Sequence, residues 1–468
     1  AVPGTLAARS LDIALGPADS PSRFRVSNLS ARIGKDISGT FAGSDVMLAT
    51  VPLDLRDAGG NWRFADNQLS ISDAAFRLED RELDDRFQPM IAREGTLVLE
   101  GNRITADALM REPKSDREIV RTAIRHDLSS GTGSADLAVE GIVLDGRLQP
   151  DQISRLALGV IANAEGTVRG TGRIDWNDGG VRSTGAFTTD KFDFAAAFGP
   201  VQGVSGTVNF TDLLSLITAP DQRLKIASIN PGIEVNDGEL TFAIRPGNVL
   251  EIDGARWPFL DGRLTLEPTR MVLGEAGTRR FTLRIDGLDA AKFVARVEMG
   301  NVNATGTFDG VLPLVFDENG GRIDGGVLTS RPPGGNVSYV GALTYKDLSA
   351  MANFAFDALR SIDYRAMRID MAGPLEGEIV TRVSFDGIRQ GANARRNFIT
   401  NQIAKLPIKF NVNLRAPFFK LVSSFKSLYD PEYVLDPRTL GLMGADGKPL
   451  PATGAPPPVQ PPVTGAAP

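Results

Sequence analysis

The feature that most limits what this chain can become is a two-residue alternation of apolar and polar side chains, repeated almost from end to end. Between Glu165 and Trp176, Val168, Gly170, Gly172, Ile174 and Trp176 fall on one side. Thr167, Arg169, Thr171, Arg173 and Asp175 fall on the other. Successive strand side chains point to opposite faces, so the stretch predicts a strand with one covered face. The pattern recurs at Val208 with Phe210, at Leu240, Phe242 and Ile244, and at Leu250 with Ile252. It continues at Leu264 with Leu266, at Phe281, Leu283 and Ile285, and at Ile379, Thr381, Val383 and Phe385. Its last instance is Ile408, Phe410, Val412 and Leu414. The N-terminal third carries it more weakly, at Trp62 and Phe64, Leu69 and Ile71, and Leu97 and Leu99.

Between these runs stand Asp-Gly pairs at Asp145, Asp178, Asp237, Asp253, Asp261, Asp286, Asp309, Asp324 and Asp386. Both residues tolerate positive φ, so the pair between alternating runs predicts a hairpin turn. The expected fold is mostly β: a long antiparallel sheet with one apolar and one polar face. Helical spacing is scarce. It is expected over Asp289–Glu298, Lys346–Ile362, Arg395–Leu406 and Pro417–Tyr429, so the few short helices cluster near the C-terminal end. In the last of these, Phe418, Leu421, Val422 and Phe425 share one stripe. Packing over the sheet end and contact with a membrane leaflet or the groove are equally compatible with that stripe. No composition break divides the chain before its Pro/Gly/Ala-rich tail. The expected division is an elongated β-groove over 1–344, C-terminal strands with groove-capping amphipathic helices over 345–440, and a flexible tail over 441–468.

An apolar sheet face must be hidden. With too few helices to cover it, a sheet folded along its own length into an open taco hides that face in an apolar interior. A filled core is compatible with the same alternation. A lipid fits such a trough, because each methylene exposed to water costs about 0.8 kcal/mol. Strands stacked about 4.8 Å apart would give roughly 25 of them a length on the order of 100 Å, a track more than a pocket.

Composition removes other classes. The net charge is −6, which leaves no basic footprint for nucleic acid. There is no cysteine, which excludes disulfides and thiol chemistry, and one histidine, which excludes a multi-histidine metal site. His126 reads as the end of a helix starting near Asp116, in a hydrogen bond, with no catalytic partner. Glu79-Asp-Arg-Glu-Leu-Asp-Asp-Arg86 reads as a solvated loop, Asp317–Asp324 as a hairpin turn, and Arg395-Arg396 as a helix-surface pair. No run of about 18 apolar residues spans a bilayer. The start at Ala1-Val2-Pro3-Gly4 reads as a fragment or processed product whose targeting or anchoring part lies upstream. No enzyme, metal or cofactor is expected.

Specific blocks go further. They are Gly199–Asp212, Ile229–Gly238, Ala255-Arg-Trp-Pro-Phe259, Gly306–Leu314, and Gly320-Gly-Arg-Ile-Asp-Gly-Gly326 followed by Arg331–Tyr339. Together, over roughly 120–440, the chain resembles the C-terminal half of YdbH-type proteins, in the AsmA-like group with TamB. The resemblance implies a bridge-type carrier of phospholipid between inner and outer membranes, in the periplasm of a Gram-negative bacterium. It implies a β-taco lined by the alternating apolar residues above, and an inner-membrane anchor that this chain lacks. It also implies a small outer-membrane lipoprotein partner, the YnbE type, adding strands at the C-terminal end. The alternative is a structural assembly factor that templates β-strands of outer-membrane proteins.

Overall fold

The structure, a computed structural model, describes residues 4–414 except 16–20, 340–360, 391–408 and shorter breaks of one to five residues. Almost all of it is strand, and most strands pair antiparallel with the next. The meander starts with Gly4–Leu15 on Ser22–Ile33 and passes through Ala162–Asn177, Gly180–Ala196 and Gly199–Asp212. It continues through Val235–Arg245 and Val249–Phe259 and ends with Ile379–Asp386 on Lys409–Leu414. Twenty-four strands share this one sheet, and its first and last strands do not pair with each other, so it is not a barrel. A second, four-stranded antiparallel sheet of Val302–Ala304, Gly335–Tyr339, Ile362–Tyr364 and Arg389–Gln390 sits at one rim.

The alternation forms the faces it predicts. In Ala162–Asn177, Gly172, Ile174 and Trp176 are covered while Thr171, Arg173 and Asp175 are exposed. The polar face carries cross-strand ion ladders. Arg125 and Arg173 share Asp136, Arg245 and Arg270 share Glu251, and Arg284 meets Glu267. Exposed pairs of this kind contribute about 0–1 kcal/mol each, so they fix register more than they stabilise.

Three expectations change here. First, the described helices are Pro150–Ile153, the 3-10 turn Arg155–Ala157 and Ala290–Arg296. The helix expected at Asp289–Glu298 is present. The other two described helical segments lie about a third of the way along the chain, so the described helices are not gathered at the C-terminal end. They form where a connection travels along the rim instead of reversing at once, and Pro150 at the first helical position starts one of them. The expected helices at Lys346–Ile362, Arg395–Leu406 and Pro417–Tyr429, with the stripe Phe418, Leu421, Val422 and Phe425, lie outside the described residues, apart from Ser361 and Ile362. Ile362 opens a strand.

Second, His126 is not at a helix end. It lies in the strand Glu118–Asp127, paired on both sides.

Third, only some Asp-Gly pairs are hairpin turns. Asp178-Gly179 reverses the chain, whereas at Asp261 the two turn residues are Leu260 and Asp261 and Gly262 already pairs with Phe259. Asp237, Asp253, Asp286, Asp309 and Asp324 instead sit inside strands. All but Asp237 accompany register shifts, between Thr241 and Phe242, Ile285 and Leu288, Val311 and Leu314, and Ile323 and Gly326. The same mid-strand irregularity runs back through Thr189/Phe192, Ile71/Ala74 and Phe41/Ser44. Bulges bend a strand and raise its twist. Repeated in successive strands, they make a crease across the sheet. Asp237 supplies positive φ, and Gly238 beside it is required because Trp257 lies flat on it: an added Cβ would stand 2.0 Å from Trp257 Nε1.

The crease has a consequence at the rims. In a meander, alternate connections lie on opposite rims. The 80–90 and 144–162 connections are on one rim, and 212–217 and 272–279 on the other. Yet Arg86 Nη1 donates to the Leu214 carbonyl at 3.0 Å. Leu156 abuts Gly274, so that a Cβ there would lie 3.1 Å from Leu156 Cδ2. Opposite rims therefore meet, and the sheet is doubled over at this place.

Candidate functional site

One connected cluster of buried apolar side chains extends from Ile119 to Ile379, with half-buried residues packed against it. Of the alternating residues singled out in the sequence, Phe242, Ile252, Leu264, Leu266, Phe281, Ile285 and Ile379 lie in its buried part. Val168, Val208, Leu240, Ile244, Leu250, Leu283, Val383 and Phe385 pack against it. The strands are too short for one of them to hold such a cluster. It is continuous because each strand presents its apolar set on the same side as its neighbour, and the bulges restore that phase across the crease.

Three singled-out residues stand apart. Trp176 caps Gly133 at the rim, and its Nε1 donates to His126 Nδ1 at 3.1 Å. The histidine is thereby an acceptor with a structural role. Phe210 stands edge-on to Phe187 at a centroid distance of 5.8 Å. Ile174 is half-buried beside them, outside the cluster. Ile408 lies outside the described residues. Phe410 and Val412 occupy register positions opposite Val383 and Thr381.

On the first strand large apolar side chains are exposed. Leu6 is 57% exposed and Leu15 49%, with Leu11 and Ile13 between them also exposed. At the other end, Tyr364 closes the rim. It packs against Phe308 and Phe385, and its hydroxyl donates to the Thr305 carbonyl. Burial pushes this phenol up to about 12, so it remains a protonated donor.

Among its described residues, the Glu79–Arg86 segment is solvated only at Arg81–Leu83, which are exposed; Asp80 and Arg86 are not. Asp80 is 0% exposed at its side chain and Arg86 16%. Nε and Nη2 of Arg86 grip both carboxylate oxygens at 2.7 and 2.8 Å, and the Arg86 and Glu82 backbone N–H groups donate to it as well. Sequence reading missed this because the Arg86 contact to Leu214 spans 128 residues. Its only local trace is an arginine six residues after an aspartate.

Carboxylates at the rims share one electrostatic character. Burial pushes Asp80 up, but the Arg86 and backbone hydrogen bonds outweigh it and hold the group below its ordinary range. Burial is likewise outweighed at Glu112 by Ser115 and Lys114, and at Asp212 by Ser183 and Ser215. Asp145 is lowered first by the Arg147 N–H. A carboxylate lowered in the folded state adds stability above its unfolded pKa and loses it as pH falls through the folded one. Stability is therefore expected to be level above about pH 5 and to fall below about pH 4. Urea midpoints at pH 7 and pH 3 check this, and equal midpoints would refute it.

Among the described residues, no group of three or more His, Cys, Asp or Glu is placed to hold a metal ion. No helix of the described residues is long and apolar enough to cross a membrane, which says nothing of strands.

Comparison with protein families returns a match over residues 2–440 to the YdbH-like family, described as intermembrane phospholipid transport protein YdbH. The chain belongs to the YdbH-like family. The match extends well upstream of the blocks that carried the resemblance and takes in the weakly alternating N-terminal strands. A comparison with the curated proteins and the solved structures gave no match.

Proposed function

We propose that this chain is a non-enzymatic section of a periplasmic bridge that carries phospholipids between the inner and outer membranes along the apolar face of its folded sheet. One observation carries the reading: the apolar cluster is a single body crossing strand after strand from Ile119 to Ile379. Family membership supports the cargo. A diacyl lipid holds roughly 30 methylenes, and at about 0.8 kcal/mol each their exposure costs on the order of 20 kcal/mol. A carrier must therefore offer unbroken apolar contact, and a meander of alternating strands offers it without special chemistry at any one residue.

The polar face takes no part beyond holding register and keeping the outside wet. The outer edge of Lys409–Leu414 has no partner strand among the described residues. Such an edge accepts an added strand, which suits a small outer-membrane lipoprotein at this end. Templating of outer-membrane β-strands would use the two edges alone and leaves the long apolar face without a role.

The test is direct. A photo-crosslinking residue at Leu283, on the apolar side, is expected to label co-purifying phospholipid, and one at the neighbouring, exposed Arg284 is not. Equal labelling at both positions, or a lipid-free mass spectrum of the purified protein, would end the transport reading.

A further inference from the structure

The place where the two rims meet is built differently from the rest of the molecule. Elsewhere strands are held by backbone ladders to their sequence neighbours. Here distant connections are held by side chains converging on Arg86. Its guanidinium binds Asp80 on its own connection and the Leu214 carbonyl on the opposite rim. Its own carbonyl accepts from Ser154 Oγ at 2.6 Å, and the Ile153 carbonyl accepts from the Gln88 N–H at 2.7 Å. Through these bonds the 145–157 connection is held on the apolar side, where Leu148 and Ile153 join the cluster. Leu213, next to Leu214, is carried onto Gly172 and Gly185. Gln149 clamps both backbone groups of Ala164, which like Leu148 has no exposed surface.

We propose that Arg86 is the bolt of a clasp that ties the two rims together over the apolar face, and that the clasp must open for an acyl chain to pass. The proposal rests on the transport reading for its purpose, though not for its existence. Upstream, on the first strand, Leu6, Leu11, Ile13 and Leu15 are exposed. Beneath the clasp the apolar side chains pack on one another. A lipid moving from one section to the other has to part that packing. The element that can yield is the one held by a few hydrogen bonds around a single guanidinium, not the one held by strand ladders. A carboxylate and an arginine buried together have a strongly preferred closed geometry. Once the arginine is gone, the remaining buried charge drives the connection toward water.

The chain has no cysteine, so a single reporter thiol is unambiguous. Ala164→Cys reports beneath the clasp, and Ala290→Cys reports in the same cluster away from it. With Arg86 intact, alkylation at position 164 is expected to be slow. Arg86→Ala is expected to accelerate it at least about tenfold, Ser154→Ala by a smaller factor, and neither should change the rate at position 290. The milder Ser154→Ala keeps the test valid should Arg86→Ala fold poorly. Unchanged protection at 164 in both variants overturns the clasp, and so does equal acceleration at 164 and 290. Loss of lipid labelling at Leu283 in every variant, with the alkylation response intact, would sink the transport reading and leave the clasp standing.

Discussion

The double substitution Leu250→Asp with Leu283→Asp is expected to strip phospholipid from the protein while leaving its sheet in place. Both leucines are half-buried and pack against the apolar cluster, so each new carboxylate can turn toward water instead of being trapped. Phe242, which is buried, would not allow that. A hydrated carboxylate beside an acyl chain removes contact for a few methylenes, about 3 kcal/mol at about 0.8 kcal/mol each. That corresponds to a loss in lipid occupancy on the order of a hundredfold. Lipid extracted per mole of protein measures it, with far-UV circular dichroism as the check on folding. Reversing charge on the polar face with Arg284→Asp should leave occupancy unchanged. A chain that keeps its lipid with both carboxylates in place would not be carrying it on this face. If that variant also sustained outer-membrane protein assembly in cells, strand templating would become the better account.

Phe316→Ala is expected to give one of the largest losses of local stability of any single side chain. Phe316 is 2% exposed, stands edge-on to Phe281 at 5.8 Å, and lies on Gly321, its partner across the strand pair. Truncating a buried phenylalanine costs about 3–5 kcal/mol, because the cavity does not fully collapse. The effect should be regional. In this meander nearly every strand touches only its sequence neighbours, as in a repeat protein, so cooperativity is passed from neighbour to neighbour. Hydrogen exchange is expected to accelerate in Arg279–Asp289, Thr307–Asp317 and Gly320–Ser330, and to stay unchanged from Gly4–Leu15 through Gln68–Asp80. Uniform acceleration over the whole chain would contradict neighbour-only coupling.

Much of the fold was legible because strand geometry converts directly into sequence. A residue such as Leu264 declares its face through Arg263 and Thr265 on either side, whatever lies far away. The hairpin at Asp178-Gly179 is equally local. Asp-Gly at 286 and 324 was misread because the dipeptide reports only tolerance of positive φ, which Gly287 and Gly325 adopt, and a mid-strand bulge needs that as much as a turn does. Arg125-His126-Asp127 was misread as a helix end because its strand has small or polar residues where the alternation should be apolar. The Asp80–Arg86 pair was misread because charged residues close in sequence are usually solvated, and burial here depends on a partner on the opposite rim.

The sequence by itself determined that this chain would be an antiparallel β protein with alternating apolar and polar faces, since period and turn chemistry are properties of neighbours. Only the tertiary structure decided that the apolar sets join into one body, that bulges crease the sheet, and that Arg86 brings its rims together. Those depend on the phase between strands and on contacts across more than a hundred residues, which no local pattern encodes.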